Sequence, residues 1–274
     1  MFHILGSPRS GTTLIAQCIS SHPNVIVPHD TDFMTPVAFV YDRIKNKATG
    51  KAIISNIITE SDSYDKSIGE YITKNQVRTL INDCEYDISV IVRSIFKEIA
   101  HQLSKKLVGN KSTKELGGIE VLQKTHLISD AIKIIHVVRD CRDVMASLIS
   151  LGWVNANNST YARTWASQNL YLAELLSGNS NYFLIRYEDF ILEPRVYLEK
   201  LSHFIGIDFN EKMLDPKCRH KRYLDMGQIH SSLFKEINDA SVGRFKYIEE
   251  RFINRYTRQS ERTLKFFGYL DRLK

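Results

Sequence analysis

Residues 2 to 15 read FHILGSPRSGTTLI, and this stretch decides the fold. It opens with a short apolar run, Phe2 to Leu5, which a loop with two Gly and one Pro follows. Beyond the loop, apolar residues recur at helical spacing from Leu14 to Ile19. This order predicts a strand, a tight loop and a helix. Such a loop directs its backbone N–H groups and the positive end of the helix dipole to one point, which predicts an anion site.

The frame from Gly6 to Thr13 differs at one position from the phosphate loop G-x-x-x-x-G-K-[ST]. Thr12 stands where that loop carries the Lys that reaches the β- and γ-phosphates of a nucleoside triphosphate. The missing Lys argues against ATP or GTP hydrolysis, although Arg9 supplies a cation earlier in the loop. The frame therefore favours a phosphate-like ligand, and a Gly-containing turn without a ligand is the alternative that this spacing alone leaves open.

The composition sets the size of the core and the kind of ligand. The chain has 274 residues, of which 43% are hydrophobic, and can bury a large core. Its net charge of +6 is uneven, because Lys217 to Lys274 hold 14 Lys and Arg against 7 Asp and Glu, whereas the remainder holds 23 against 24. A basic C-terminal quarter favours an anionic ligand or acceptor, and an ordinary solvated basic face is the alternative.

Cysteine usage and the N-terminal residues bear on the compartment. The four Cys residues show no paired spacing, which indicates a reducing environment. No signal peptide or membrane-spanning stretch is visible, and the chain begins in its first core strand, which leaves no room for an anchor before it. We therefore expect a cytoplasmic protein.

Three motifs, in the same order along the chain, resemble those of the sulfotransferases. Pro8 to Thr13, PRSGTT, is similar to their 5′-phosphosulfate loop. Lys133 to Ser147 is similar to their second signature, a strand that ends in Arg, here Arg139, with a Ser eight positions later. Arg186 to Phe190, RYEDF, resembles their Y-E-D-L segment. The three motifs together span most of the chain. On this resemblance the chain is identified as a member of the family.

The resemblance implies the architecture. It predicts an α/β fold, with a central parallel β-sheet flanked by helices, of the P-loop-like sulfotransferase type. We expect a single domain over residues 1–274 with a helical insert at about 34–112, which in this family usually builds the acceptor cleft.

The resemblance also implies the donor, 3′-phosphoadenosine 5′-phosphosulfate (PAPS), and the residues that bind it. The 5′-phosphosulfate is assigned to the loop residues Pro8, Arg9, Ser10, Gly11, Thr12 and Thr13. The 3′-phosphate is assigned to Arg139 and Ser147, the alternative being that Arg139 only pairs with Asp143. Ser241 to Lys246 resembles a late segment that closes over the 3′-phosphate, from which Arg244 is carried over with Lys246 in support. The product is adenosine 3′,5′-bisphosphate, and no metal is required.

Two residues are candidates for the base that accepts the acceptor's proton. Val25 to Val27 predicts a short strand, and Asp30 follows it where many relatives carry a catalytic Glu. The alternative for Asp30 is a helix N-cap. Ile119 to Gln123 predicts another strand that leads into Lys124-Thr125-His126, after a loop from Gly109 to Gly118.

This triplet resembles the K-T-H of the cytosolic branch, in which the Lys stabilises the bridging oxygen and the His is the base. Lys124 and His126 are therefore catalytic candidates beside Arg9 and Asp30, and an uninvolved loop residue is the alternative for His126. Histidine is the residue type better suited to proton abstraction near neutral pH. The position of Asp30 beside the phosphosulfate loop nevertheless favours it as the base.

The resulting prediction is an enzyme that moves a sulfuryl group from PAPS to a hydroxyl or amine by in-line displacement. Two other classes stay open: a nucleotide kinase or NTPase-like P-loop protein, and a non-catalytic nucleotide-binding protein. The acceptor is a saccharide, a lipid, a peptide tyrosine or a small metabolite, and we expect no nucleic-acid partner. The sequence does not indicate the oligomeric state.

Overall fold

The computed structural model describes residues 1–221 and 233–270. Within these residues the strands are β1 (Phe2–Leu5), β2 (Val25–Ile26), β3 (Leu107–Ser112), β4 (Lys133–Val138) and β5 (Tyr182–Arg186). They form one five-stranded sheet in the order β2-β3-β1-β4-β5, and every neighbouring pair is parallel. The expected α/β fold with a central parallel sheet is confirmed.

Strand β1 lies at the centre of the sheet, between β3 and β4. All of its residues are buried, as its apolar sequence predicts. Leu5 is in register with Ser112 of β3 and with His136 of β4. Because the strands are parallel, their carboxyl ends meet at one edge of the sheet, where open α/β folds place their ligand groups.

Helices cover both faces of this sheet. In the described residues they are α1 (Thr12–Ser20), α2 (Met34–Arg43), α3 (Lys47–Thr59), α4 (Lys74–Asp83), α5 (Ile88–Gln102), α6 (Ile119–Lys124), α7 (Cys141–Ser150), α8 (Thr160–Leu175), α9 (Tyr187–Leu192), α10 (Pro194–Ile205) and α11 (Glu250–Phe266). Phe2 and Ile4 of β1 pack with α1, α9 and α10, whereas Leu5 packs with the cluster built by α2 to α6. None of the helices in these ranges is long and apolar enough to cross a membrane.

The region between β2 and β3 holds α2 to α5, within the insert expected at 34–112. The expectation of a loop from Gly109 to Gly118 is wrong at its start, because β3 runs to Ser112. Gly109 brings β3 close to β1, since a Cβ there would lie 2.5 Å from the Phe2 ring. The polar side chains that made β3 look like a loop are buried with specific partners, as described below.

The expectation of a strand from Ile119 to Gln123 is also wrong, because these residues begin α6. A short apolar run does not distinguish a strand from a buried helical turn by periodicity. The consequence is that Lys124 ends a helix instead of following a strand at the ligand edge.

A buried carboxyl holds the start of α2. Helix α2 has no side-chain cap of its own at Phe33. Glu115 instead accepts hydrogen bonds from the backbone N–H groups of Met34 (3.0 Å) and Thr35 (2.8 Å) and from the Thr35 hydroxyl. Burial raises the pKa of Glu115 to about 7, although these hydrogen bonds oppose the rise.

We expect Glu115 to make stability depend on pH. Because the folded protein holds the Glu115 proton more tightly than the unfolded chain, this contribution to the free energy of unfolding falls as pH rises from about 4.5 to about 7. The full change is on the order of 3 kcal/mol. Urea unfolding at several pH values measures the free energy of unfolding of the wild type and of Glu115→Gln. The wild-type value minus the variant value should fall over this range. The exposed neighbour Glu120, changed to Gln, is the control, and a wild-type minus Glu115→Gln difference that stays constant with pH would contradict the assignment.

Candidate functional site

A cavity of about 540 Å³ opens at the carboxyl edge of the sheet. Its volume is within the range of pockets that bind small organic ligands. The walls come from the loops after β1, β2 and β3, from the end of β4 and helix α7, and from a late segment around residues 233–244. The polar and charged residues of this lining include Arg9, Asp30, Lys111, Arg139, Ser147 and Arg244.

The loop between β1 and α1 forms one wall as the sequence predicts. Gly11, immediately before α1, has a φ of 92°. A Cβ at this position would lie 2.2 Å from the Tyr187 ring, so only Gly fits. The first N–H groups of a helix have no intrahelical acceptor. Those at Thr12 and Thr13, which line the cavity, are therefore suited to bind an anion.

Three Arg residues from distant parts of the chain line this cavity. Arg9 Nε donates to Ser147 Oγ at 3.0 Å, and an Arg139 Nη donates to the backbone oxygen of Arg9 at 3.0 Å. Burial lowers the pKa of Arg9, and the charges of Arg139 and Arg244 lower it further. Cations held this close to each other favour a ligand that carries several negative charges.

Arg139 is buried where β4 ends. Its second Nη donates to the backbone oxygen of Ser241, and its guanidinium lies 4.9 Å from the centre of the Tyr187 ring. Its ion pair with Asp143 is long, at 3.9 Å. Among the described residues the buried Arg139 Nε has no hydrogen-bond partner. A bound anion would supply the acceptor that this donor lacks.

Asp30 forms the other polar part of the cavity, together with a Lys that the sequence analysis missed. Lys111 Nζ lies 2.6 Å from Asp30 Oδ2, and the Lys111 side chain is only 1% exposed. The other carboxylate oxygen, Asp30 Oδ1, is buried and has no hydrogen-bond partner in the described part of the chain. The N-cap of α2 is Phe33, so the alternative of Asp30 as a helix cap is wrong.

Lys111 lies in the stretch from Gly109 to Gly118, for which the sequence predicts a loop, and is therefore not among the candidates from sequence. It belongs to β3, next to the central strand, and it follows Asn110, which is also buried. The sequence signal for Lys111 as a site residue is its place near the end of β3, which neighbours β1, the strand that leads into the anion loop. Recognising it required knowing that β3 exists.

The structure does not bring Lys124 and His126 to this cavity. Lys124 is exposed at the end of α6, where its Nζ lies 2.7 Å from Asp42 Oδ1. His126 is exposed, with a φ of 60°, in the turn that follows. Both belong to the triplet that was expected to follow a strand. Because α6 replaces that strand, the triplet lies away from the ligand edge.

The remaining predicted ligand residues divide into two groups. Pro8, Thr12 and Thr13 line the cavity with the residues described above, whereas Ser10 is fully buried within its loop. Lys246 is exposed and is not among the described residues that line the cavity. In the described residues no group of three or more His, Cys, Asp or Glu side chains is placed to hold a metal ion.

Comparisons with known proteins agree with the fold described above. A family model described as "Sulfotransferase family" matches residues 2–211. The sulfotransferase domain of the Synechococcus PCC 7002 olefin synthase is similar in structure, with 22% identity, a TM-score of 0.67, and coverage of 98% of this chain and 94% of that chain. A sulfotransferase domain from the curacin biosynthetic pathway has 21% identity, a TM-score of 0.58, and coverage of 98% and 97%. These structural similarities establish the fold. A search of curated protein sequences finds no match.

Proposed function

Because the chain belongs to the sulfotransferase family, we propose that it transfers a sulfuryl group from PAPS to a hydroxyl or amine of an acceptor. One observation carries this proposal: Arg9, Arg139, Ser147 and Arg244 meet in one cavity beside the Asp30–Lys111 pair. The cavity thus combines a cluster of cations with a carboxylate that has one oxygen without a hydrogen-bond partner in the described residues.

The described residues fit PAPS on two structural observations. Thr12 and Thr13, whose N–H groups begin α1, line the cavity, and Arg139 Nε is a buried donor without an acceptor in the described residues. We assign the 5′-phosphosulfate to Arg9 and the start of α1, and the 3′-phosphate to Arg139, Ser147 and Arg244. When bound, PAPS supplies a sulfuryl group whose leaving group is adenosine 3′,5′-bisphosphate.

Asp30 and Lys111 are the proposed catalytic pair beside Arg9. Asp30 Oδ1 accepts the proton of the acceptor as the new bond to sulfur forms, while Lys111 holds the other carboxylate oxygen. Lys111 and Arg9 offset the charge that grows on the leaving phosphate as its bond to sulfur breaks. Positioned cations of this kind provide most of the rate acceleration in related group transfers. Lys111 takes the role that the sequence analysis gave to Lys124.

The other two function classes differ in what they require. A kinase or NTPase needs a Lys at the position of Thr12 and a divalent metal, and independence from metal stays a prediction of the sulfotransferase proposal. A non-catalytic nucleotide-binding protein would keep the Arg cluster without a working base. The acceptor, the cytoplasmic location, the single domain and the absence of a nucleic-acid partner stay predictions. Labelled PAPS, offered with a panel of saccharides, lipids, peptides and small metabolites, tests the transfer directly.

We expect adenosine 3′,5′-bisphosphate to bind far more tightly than AMP, because Arg139, Ser147 and Arg244 are assigned to the 3′-phosphate. Loss of a charged hydrogen-bonded contact costs about 1.5–3 kcal/mol. Arg139→Ala should therefore weaken bisphosphate binding by roughly one to two decades in isothermal titration calorimetry. Arg43→Ala, an exposed Arg of α2, is the control. Equal affinities of the wild type for the two nucleotides would refute the assignment.

A further inference from the structure

Asp143 lies in the first turn of α7 and is 1% exposed. It is not the cap of this helix, because the Asp140 side chain accepts from the N–H of Arg142 at 2.9 Å and occupies that position. The two oxygens of Asp143 instead receive backbone donors from a segment a hundred residues later. Gly243 N–H donates to Oδ2 at 2.7 Å, and Phe245 N–H donates to Oδ1 at 2.9 Å.

These two donors flank Arg244. Of the three residues Gly243, Arg244 and Phe245, only Arg244 lines the cavity. Both carboxylate oxygens are therefore used to fix the backbone on either side of a proposed 3′-phosphate ligand. A carboxylate is the side chain that suits this task, because each of its oxygens accepts a hydrogen bond. The left-handed conformation of Gly243, with a φ of 75°, brings the two donors to the same carboxylate.

Other contacts attach the same segment to the cavity wall. The Tyr187 hydroxyl lies 2.7 Å from Ser241 Oγ, and Arg139 donates to the Ser241 backbone oxygen. The Arg142 guanidinium lies 4.4 Å from the centre of the Phe245 ring. Asp143 contacts the residues on both sides of Arg244. Tyr187 and Arg139 contact Ser241, at the start of this segment.

We propose that Asp143 is a positioning residue that holds the segment Gly243–Phe245 so that Arg244 faces the 3′-phosphate of the nucleotide. This inference rests on the proposed function, because it assumes the nucleotide, and it adds a residue that does not itself touch the ligand. The long Arg139–Asp143 ion pair is a minor part of the role, since both carboxylate oxygens bind backbone donors at shorter distances.

Asp143→Asn tests the contact in the free protein. An Asn side chain offers one oxygen and one NH₂ group, so one of the two backbone donors loses its acceptor. Hydrogen exchange at one of the two amides, Gly243 or Phe245, should therefore rise by at least about tenfold. Asp87→Asn is the matched control, because Asp87 also accepts two backbone N–H groups but caps α5. Unchanged exchange at both amides in Asp143→Asn would overturn the proposal.

Calorimetry then tests the link to Arg244. Asp143→Asn should weaken adenosine 3′,5′-bisphosphate binding by about tenfold and leave AMP binding within about twofold. In an Arg244→Ala background, Asp143→Asn should cause no further loss, because the side chain that it positions is gone. A loss of the same size in both backgrounds, or equal losses for the two nucleotides, would overturn the proposal.

The two proposals fail in distinguishable ways. If the wild type does not prefer the bisphosphate over AMP, the proposed function fails, and the role of Asp143 toward a nucleotide fails with it. If the wild type prefers the bisphosphate and Arg244→Ala removes part of that preference, but Asp143→Asn binds like the wild type, only the role of Asp143 is refuted.

Discussion

Asp30→Asn should reduce the rate of sulfuryl transfer by about 10²–10⁴-fold, the usual loss when a general base is removed. The variant is close in shape, and its amide oxygen can still accept from Lys111, so the buried ammonium keeps a partner. Nucleotide affinity should stay near the wild-type value, because Asp30 is not assigned to the phosphates. Initial rates with labelled PAPS, together with calorimetry for the bisphosphate, measure the two quantities separately.

His126→Gln is the natural comparison, since the sequence left both residues open as the base. His126 is exposed in the turn after α6, away from the cavity, and we expect its variant to stay within about tenfold of the wild-type rate. The reverse pattern would assign the proton transfer to His126. If both variants keep their turnover, neither residue is the base, and the acceptor binds elsewhere in the cavity.

Lys111→Met should lower kcat by about 10²–10³-fold, a loss typical for removal of one group that stabilises charge in the transition state. Met keeps the length of the side chain, so the buried site stays filled while the positive charge is lost. The physical reason is that Lys111, near the end of β3, holds its Nζ 2.6 Å from Asp30 Oδ2. There its charge is proposed to offset the charge that grows on the leaving phosphate. Steady-state kinetics with varied donor concentration separates this loss in kcat from a change in KM.

Lys124→Met is the matched control for this experiment. Lys124 has the same chemistry, but its charge is paired with Asp42 on the surface, and exposed ion pairs of this kind contribute little. Its variant should keep the wild-type kcat. A large loss in Lys124→Met with little effect in Lys111→Met would restore the K-T-H assignment. Thermal unfolding of both variants checks that a lower kcat does not result from loss of the folded state.

The sequence was sufficient wherever the signal was local. The stretch from Phe2 to Ile15, which carries Arg9, and the stretch from Lys133 to Ser147, which carries Arg139, each combine a strand, a turn and the start of a helix within about fifteen residues. Their spacing depends on backbone geometry alone. These residues meet in the cavity as expected. Asp30 was also placed at the correct edge, because β2 ends shortly before it.

The sequence was insufficient where a tertiary contact decides the structure. Strand β3 reads LVGNKS, a composition typical of loops. It is a buried strand because its polar groups find partners far along the chain: Asn110 contacts His3 Nδ1 at 3.1 Å, and Lys111 pairs with Asp30. Segment 243–245 is similar, since the N–H groups of Gly243 and Phe245 donate to Asp143, a hundred residues earlier. No local pattern reports such pairs.

The strand order described above has a consequence for synthesis on the ribosome. The central strand, Phe2–Leu5, is made before both of its neighbours, which span residues 107–112 and 133–138. At translation rates of about 5–20 residues per second, this apolar run waits on the order of ten seconds for its second neighbour. During that interval its backbone groups lack one or both of the strands, β3 and β4, that pair with them in the folded protein.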